Sequence, residues 1–417
     1  MDDTNSLENS RDYDVVLYGA GGFVGRQTVA YFANAAPQHR LRWAIAGRSR
    51  EKLEAARAQA GAPDTVDILL ADGRDEAAVD AIASRTRVLL STAGPFALYS
   101  DAIVSACVRR RTHYVDITGE TPWVRSLIDR HHAAATADGT RIVPCCGFDS
   151  VPSDLGVLLA VRRLQQISAA PCRQANGYFQ LRGGVNGGTV ASALLLYQAG
   201  PAEQARDPFL LSPDIVRTSE DVARNLDPTS THFDADVNAW VGPFVMGPCN
   251  TRVVRRSAAL FNQWGASYGP DFAYQEYARY GGRLARARAG MTTGALAVMT
   301  KGIRRSVVRK LVRPFLPSPG SGPSGSRIND GWFRCEVVAT AEDNRQVRVR
   351  MTHQGDPGNR ATTRFVCESA LSLAADPDLR PGAPRRGRGG VLTPATAFGQ
   401  QLAERLPPVG LTIDVRS

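Results

Sequence analysis

The chain of 417 residues, 43% hydrophobic and 22% charged, is long enough for two or three packed domains and too apolar to be disordered. Its 50 Lys and Arg against 40 Asp and Glu give a net charge of +10, and only Lys52, Lys301 and Lys310 of those cations are lysines. Eleven of the cations and no acid fall between Tyr277 and Ile328, so the excess is one local patch on a near-neutral body, unlike the spread or striped charge of a nucleic-acid binder.

The opening MDDTNSLENSRDYD is acidic and polar, which argues against a secretory signal. No run approaches the ~18 to 20 apolar residues of a membrane-spanning helix. Seven scattered cysteines, without a C-x-x-C pair or a histidine at ligand spacing, point to a reducing compartment and away from structural zinc. These readings predict a soluble cytoplasmic protein, free to touch a membrane surface.

In chain order, Asp14 to Tyr18 reads as a short buried strand, followed by Gly19-Ala20-Gly21-Gly22-Phe23-Val24-Gly25 and a helical stretch over Arg26 to Asn34. Strand, glycine turn and helix N-terminus together form a dinucleotide-binding fingerprint, in which glycines admit the pyrophosphate and free N–H groups receive it. Gly19, Gly21, Gly22, Phe23, Val24 and Gly25 are therefore candidate cofactor contacts. The second strand, Arg42 to Ala46, ends in Gly47-Arg48-Ser49 where an NAD enzyme would carry an acid for the ribose 2′-hydroxyl. Arg48 and Ser49 suit a 2′-phosphate instead, which predicts NADP(H).

Strands over 66–70, 87–91, 113–117 and 140–144 then alternate with helices over 75–84, 101–111 and 122–138. Six short apolar strands predict an α/β fold with a Rossmann-like, doubly wound parallel sheet, covered on both faces. Ligands sit at the C-terminal ends of such strands. Asp72 is placed there to accept from the adenine amino group, and Ala93-Gly94-Pro95 lets the backbone approach the nicotinamide ribose. The alternation stops after Phe148, which divides the chain into a dinucleotide domain over 1–148 and a second, α+β domain over 149–417. In the latter, Ser150 to Asp154 starts a helix running to Gln165, and Trp332 to Thr340 and Val347 to Gln354 form a hairpin about Asp343-Asn344. A helix over 394–406 and a strand over 411–415 close the chain, its tail packing back on the first domain.

The motifs Tyr18-Gly-Ala-Gly-Gly-Phe-Val-Gly25, Ala46-Gly-Arg-Ser49, Ala93-Gly-Pro-Phe96, Tyr114-Val-Asp-Ile-Thr-Gly-Glu120 and Cys146-Gly-Phe-Asp-Ser-Val-Pro-Ser-Asp-Leu-Gly156 together resemble the saccharopine dehydrogenase-like oxidoreductases. Among these the chain is most similar to the mycobacterial trans-acting enoyl reductases. The likeness continues through Gly187-Gly-Thr189, Val241-Gly-Pro-Phe244, Val254-Arg-Arg-Ser257, Tyr268-Gly-Pro270, Leu316 to Gly320 and Gly390 to Ala395. Gly21 departs from it, since the family usually has threonine there. The resemblance implies NADPH-dependent reduction of an α,β-unsaturated thioester on a polyketide synthase, for phthiocerol- and phenolphthiocerol-type lipids.

Enoyl reduction asks for hydride at the β-carbon, a donor to the thioester oxygen and a proton for the α-carbon. No tyrosine is followed by lysine four residues later, which excludes the short-chain dehydrogenase pair. The candidates are Asp149 and Ser150 in the loop after the sixth strand, with Ser153 behind them and Tyr114 or Glu120 nearby. Ser150, Ser153 and Asp154 equally suit capping the following helix, and Asp116 suits tying loops together. The stretch from Gly294 to Val312 places Lys301, Arg304, Arg305, Arg309 and Lys310 largely on one helical face, suited to an acidic acyl carrier domain, an anionic membrane surface through 294–313, or plain solvation. An imine or amino-acid oxidoreductase with arginines clamping substrate carboxylates, and a non-catalytic NADP-binding lipid-surface protein, are the alternative functions.

Overall fold

A computed structural model describes residues 11–183, 204–302, 322, 325–376 and 388–417. Strands β1 (Tyr13–Tyr18), β2 (Trp43–Gly47), β3 (Asp67–Leu70), β4 (Thr86–Ser91), β5 (His113–Asp116) and β6 (Arg141–Val143) alternate with helices α1 (Phe23–His39), α2 (Arg50–Gln59), α3 (Glu76–Arg85), α4 (Asp101–Arg110) and α5 (Thr121–Asp138). All pair in parallel, and a late strand, β13 (Gly390–Val391), adds itself beside β6 to give the order β13-β6-β5-β4-β1-β2-β3.

The period of two decides which face each residue serves. Val15, Leu17, Val88 and Leu90 join one buried cluster with Val29 and Phe32 of α1, whereas Val16, Tyr18, Ala44 and Leu89 join the opposite one with α3, α4 and α5. The doubly wound sheet predicted from sequence is thus present, with a seventh strand that the two-residue segment 390–391 was too short to announce.

The second half contains α6 (Val151–Ile167), α7 (Gly247–Gln263), α8 (Ala285–Gly302) and α9 (Thr362–Ala375). Its mixed sheet has the order β14-β12-β11-β7-β10-β9-β8, from β7 (Cys172–Arg182), β8 (His232–Asp234), β9 (Ala239–Pro243), β10 (Ala273–Tyr280), β11 (Trp332–Ala341), β12 (Gln346–Gln354) and β14 (Leu411–Arg416). Helix α6 lies directly on this sheet: a Cβ at Gly156 would stand 2.8 Å from Val337 Cγ2. Helix α9 instead crosses to the first sheet, where Phe365, Val366 and Leu371 share the cluster of Val15 and Leu17. The expected helix over 394–406 is two short ones, Pro394–Ala397 and Gln400–Arg405, broken at Gly399, whose φ of 53° is left-handed.

Candidate active site at the C-terminal edge of the parallel sheet

The phosphate turn is built as its glycines require. Gly19 takes φ 82°, and a Cβ there would stand 2.9 Å from the Ala93 nitrogen. A Cβ at Gly25 would stand 2.1 Å from the Gly19 oxygen, so only glycine lets α1 approach β1 this closely. Gly22 caps α1 without any side-chain hydrogen bond, leaving the first-turn N–H groups of Phe23, Val24 and Gly25 for a phosphate. At Gly21 a Cβ would come 3.0 Å from Lys52 Cβ, so a threonine there would have to displace that lysine.

Toward β2 and β3, Arg48 stands over the Tyr99 ring at 5.1 Å and Arg74 over the same ring at 5.9 Å. Two exposed guanidinium groups on one aromatic platform suit a ribose phosphate. Ser49 caps α2, accepting from the Lys52 N–H at 3.4 Å, and keeps its own hydroxyl proton to donate. Asp72, expected to accept from the adenine amino group, is paired with Arg74. Both its oxygens are held by Arg74, at 3.1 Å from Nε and 2.9 Å from Nη2, and this pairing lowers its pKa to about 2. It aims Arg74 at the ribose end of the site. Arg74 and Tyr99 went unmarked in the sequence, although Arg74 lies two residues beyond Asp72 in a loop already singled out.

The 92–95 loop closes over the turn. Thr92 Oγ1 donates to the Tyr18 oxygen at 3.2 Å, and Gly94-Pro95 is a cis peptide leading into the helical turn Phe96–Tyr99. Glu120 caps that turn, accepting from the Phe96 and Ala97 N–H groups at 2.8 and 2.9 Å. Glu120 therefore positions the loop and is not free to donate. Asp116 ties loops as its position suggests: it accepts from the Thr118 and Cys145 N–H groups at 2.9 and 3.0 Å and from the Tyr114 hydroxyl at 2.9 Å, while burial raises its pKa to about 7.

The two residues expected to act on substrate have different surroundings. Asp149 is half-buried, and among the described residues no group hydrogen-bonds to its carboxyl. It faces Gly119, where a Cβ would lie 3.8 Å from its Oδ2, and desolvation lifts its pKa to about 6. Ser150 is fully buried and turns inward. Its hydroxyl stands 3.5 Å from Asn250 Oδ1 and 3.9 Å from Cys249 Sγ.

Behind Ser150, Asn250 donates to Glu276 at 2.9 Å and the Tyr274 hydroxyl to the same carboxyl at 2.8 Å. Burial raises the pKa of Glu276 to about 8. This chain is assembled from three distant segments, so no local motif marked it. The capping role is not taken up: α6 starts without a side-chain cap, and Asp154 instead accepts from the Ala395 N–H at 2.7 Å and from the Ser257 hydroxyl.

Arg252, Arg255 and Arg256 of α7 are buried and consumed internally. They donate to backbone carbonyls of Ala205, Arg206, Asp207, Pro208, Tyr274, Leu211 and Val391, and to Asp227 and Asn225. They brace loops and cannot clamp a substrate carboxylate.

Residues 15–143 match the saccharopine dehydrogenase NADP binding domain family. A Mycobacterium tuberculosis protein provisionally named a trans-acting enoyl reductase is 37% identical over 97% of both chains. The trans-acting enoyl reductase of Mycobacterium leprae is 36% identical over 97% of this chain and 98% of its own. In fold, a saccharopine dehydrogenase of Saccharomyces cerevisiae superposes with TM-score 0.54 at 12% identity, covering 97% of this chain and all of that one. With the NADP-binding turn and its flanking arginines in place, these relatives show that the chain belongs to the trans-acting enoyl reductase family of saccharopine dehydrogenase-like, NADP-binding oxidoreductases.

Proposed function

We propose that the protein is an NADPH-dependent enoyl reductase acting in trans on α,β-unsaturated acyl thioesters carried by a polyketide synthase, in the making of phthiocerol- or phenolphthiocerol-type lipids. The family supports the reaction class and the trans-acting mode; the pathway follows from the resemblance. The observation that carries the chemistry is the Asp149 carboxyl, free of hydrogen bonds among the described residues, facing Gly119 at the ends of β5 and β6, with its pKa raised to about 6.

Bound NADPH supplies the hydride for the β-carbon. Gly19 to Gly25 receive the phosphates, and Arg48 with Arg74 select the 2′-phosphate. Asp149, held partly neutral by its desolvated setting, hands its proton to the α-carbon and recovers it from solvent, to which it is half open. Ser150 positions that loop through Asn250 and Glu276, away from the substrate.

The buried arginines of α7 are engaged internally and offer the imine or amino-acid alternative no carboxylate clamp. The test is NADPH oxidation with a carrier-bound enoyl thioester, with the saturated product identified by mass spectrometry. Turnover of an α-imino acid in place of the enoyl thioester would overturn the reading.

A further inference from the structure

Helix α8 has two apolar sides, and among the described residues only one of them is covered. Ala285 and Ala289 are buried, and Thr293 meets β9, its Oγ1 2.9 Å from where a Gly242 Cβ would stand. At ~100° per residue, Leu284, Met291 and Val298 project about 180° away from that contact. These three are 69%, 68% and 72% exposed, and Ala287 and Ala295 extend the same stripe. From Leu284 to Val298 the stripe runs roughly 21 Å.

Such a face on a lone soluble helix is costly, and it falls in the part of the chain that has eleven cations and no acid. Arg283, Arg286 and Arg288 are exposed beside it. Arg286 stacks over Trp240 at 5.2 Å, and Trp240 meets the half-exposed Phe233 edge-on at 6.2 Å. Both rings line a cleft of about 330 Å³ at the N-terminal end of α8, together with Ala285, Arg279 and Arg334. That cleft shares no lining residue with the cofactor site.

We propose that the exposed face of α8, with Leu284 just before it and running to Val298 between its flanking arginines, is a docking surface for an anionic lipid bilayer. A helix lying in the membrane interface needs an apolar stripe along its length, cations at the borders and aromatic groups at headgroup level. The stripe and the bordering cations are present here, and no acid in the segment repels anionic headgroups. An acidic carrier domain would be drawn by the same arginines, but charge pairing alone leaves a bare stripe of Leu, Met and Val unexplained. The sequence placed such a surface over 294–313. Its cations Arg304, Arg305, Arg309, Lys310 and Arg313 lie outside the described residues, and the surface described here begins earlier, at Leu284.

The test is flotation of the full chain with vesicles of equimolar phosphatidylglycerol and phosphatidylcholine, or of phosphatidylcholine alone. The expected result is binding to the anionic vesicles, weakened by salt, with little on the neutral ones. Leu284→Gln/Met291→Gln/Val298→Gln and, separately, Arg283→Glu/Arg288→Glu should each lower partitioning about tenfold or more, while NADPH affinity and circular dichroism match the parent. Unchanged partitioning of both variants would overturn the proposal. So would binding of an isolated acyl carrier domain, or dimerisation in solution, that needs the stripe while vesicles are ignored. None of these readouts depends on the reaction catalysed.

Discussion

Asp149 and Ser150 are neighbours in sequence and opposites in setting. A carboxyl with its pKa near 6 and no hydrogen bond among the described residues is suited to proton donation, whereas a hydroxyl sealed against Asn250 is suited to holding shape. Asp149→Asn should lower kcat by about 10²- to 10⁴-fold with the KM for NADPH unchanged. The parent's kcat/KM should fall as pH rises through about 6, the pKa of the donor, and steady-state profiles of the variant should lack that limb. On the cofactor side, Arg48→Glu should raise the KM for NADPH by about 10- to 100-fold while barely altering that for NADH, as paired kinetics with the two cofactors would show.

Much of this was legible residue by residue. Glycines whose Cβ would strike backbone and an arginine where an acid would otherwise stand carry their meaning locally. The pairing of Asp72 with Arg74 went unseen, because pairing between side chains is invisible to spacing.

At the scale of elements, legibility followed the distance over which each element finds its partners. Strands β1 to β6 are short, apolar and separated by amphipathic helices, so each announces itself. Strands β7 and β10 pair in parallel across about a hundred residues of chain, and β10 carries the buried Glu276 and the half-buried Arg279. Such a strand is polar by composition and becomes interior only through its partners. Helix α6 was foreseen, but the reason for its small residue was not: Gly156 lets it settle on β11. Gly156→Ala forces a Cβ to 2.8 Å from Val337 Cγ2 and should cost about 1–3 kcal/mol, seen as a lower Tm with NADPH affinity retained. Unchanged stability would mean that the helix can shift freely across the sheet.

Across the whole molecule, several carboxyls are held protonated by burial. Asp116 and Asp154 have pKa values near 7 and Glu276 near 8, against about 4 for carboxyls in an unfolded chain. The folded protein therefore binds more protons than the unfolded chain between these limits, and its stability falls as pH rises through the folded values. Burial pushes the pKa of His131, His132 and His353 down, so they oppose this trend only below their unfolded value of about 6.5. Tm should accordingly decline from about pH 6.5 to 8.5, and Glu276→Gln should flatten the decline in calorimetric scans.

The boundary at residue 148 splits the first sheet, which takes β13 from beyond it, and splits the coverings of that sheet as well. Helix α9 covers one face of the first sheet, Tyr31 of α1 donates to Glu368, and Arg405 reaches the same carboxyl at 2.7 Å. A fragment ending at 148 leaves Val15, Leu17, Val88 and Leu90 without α9. It should aggregate when expressed alone and become soluble when 149–417 is co-expressed, as sedimentation of lysates would reveal.

Strand β13 extends this dependence in time. At roughly 5–20 residues per second of synthesis, β6 waits many seconds for Gly390 and Val391, and the nascent dinucleotide half meanwhile keeps an open edge beside an uncovered face. Ribosome-bound chains that stop short of 391 should therefore depend on a chaperone to shield that edge, and depleting that chaperone should lower the soluble yield of the protein.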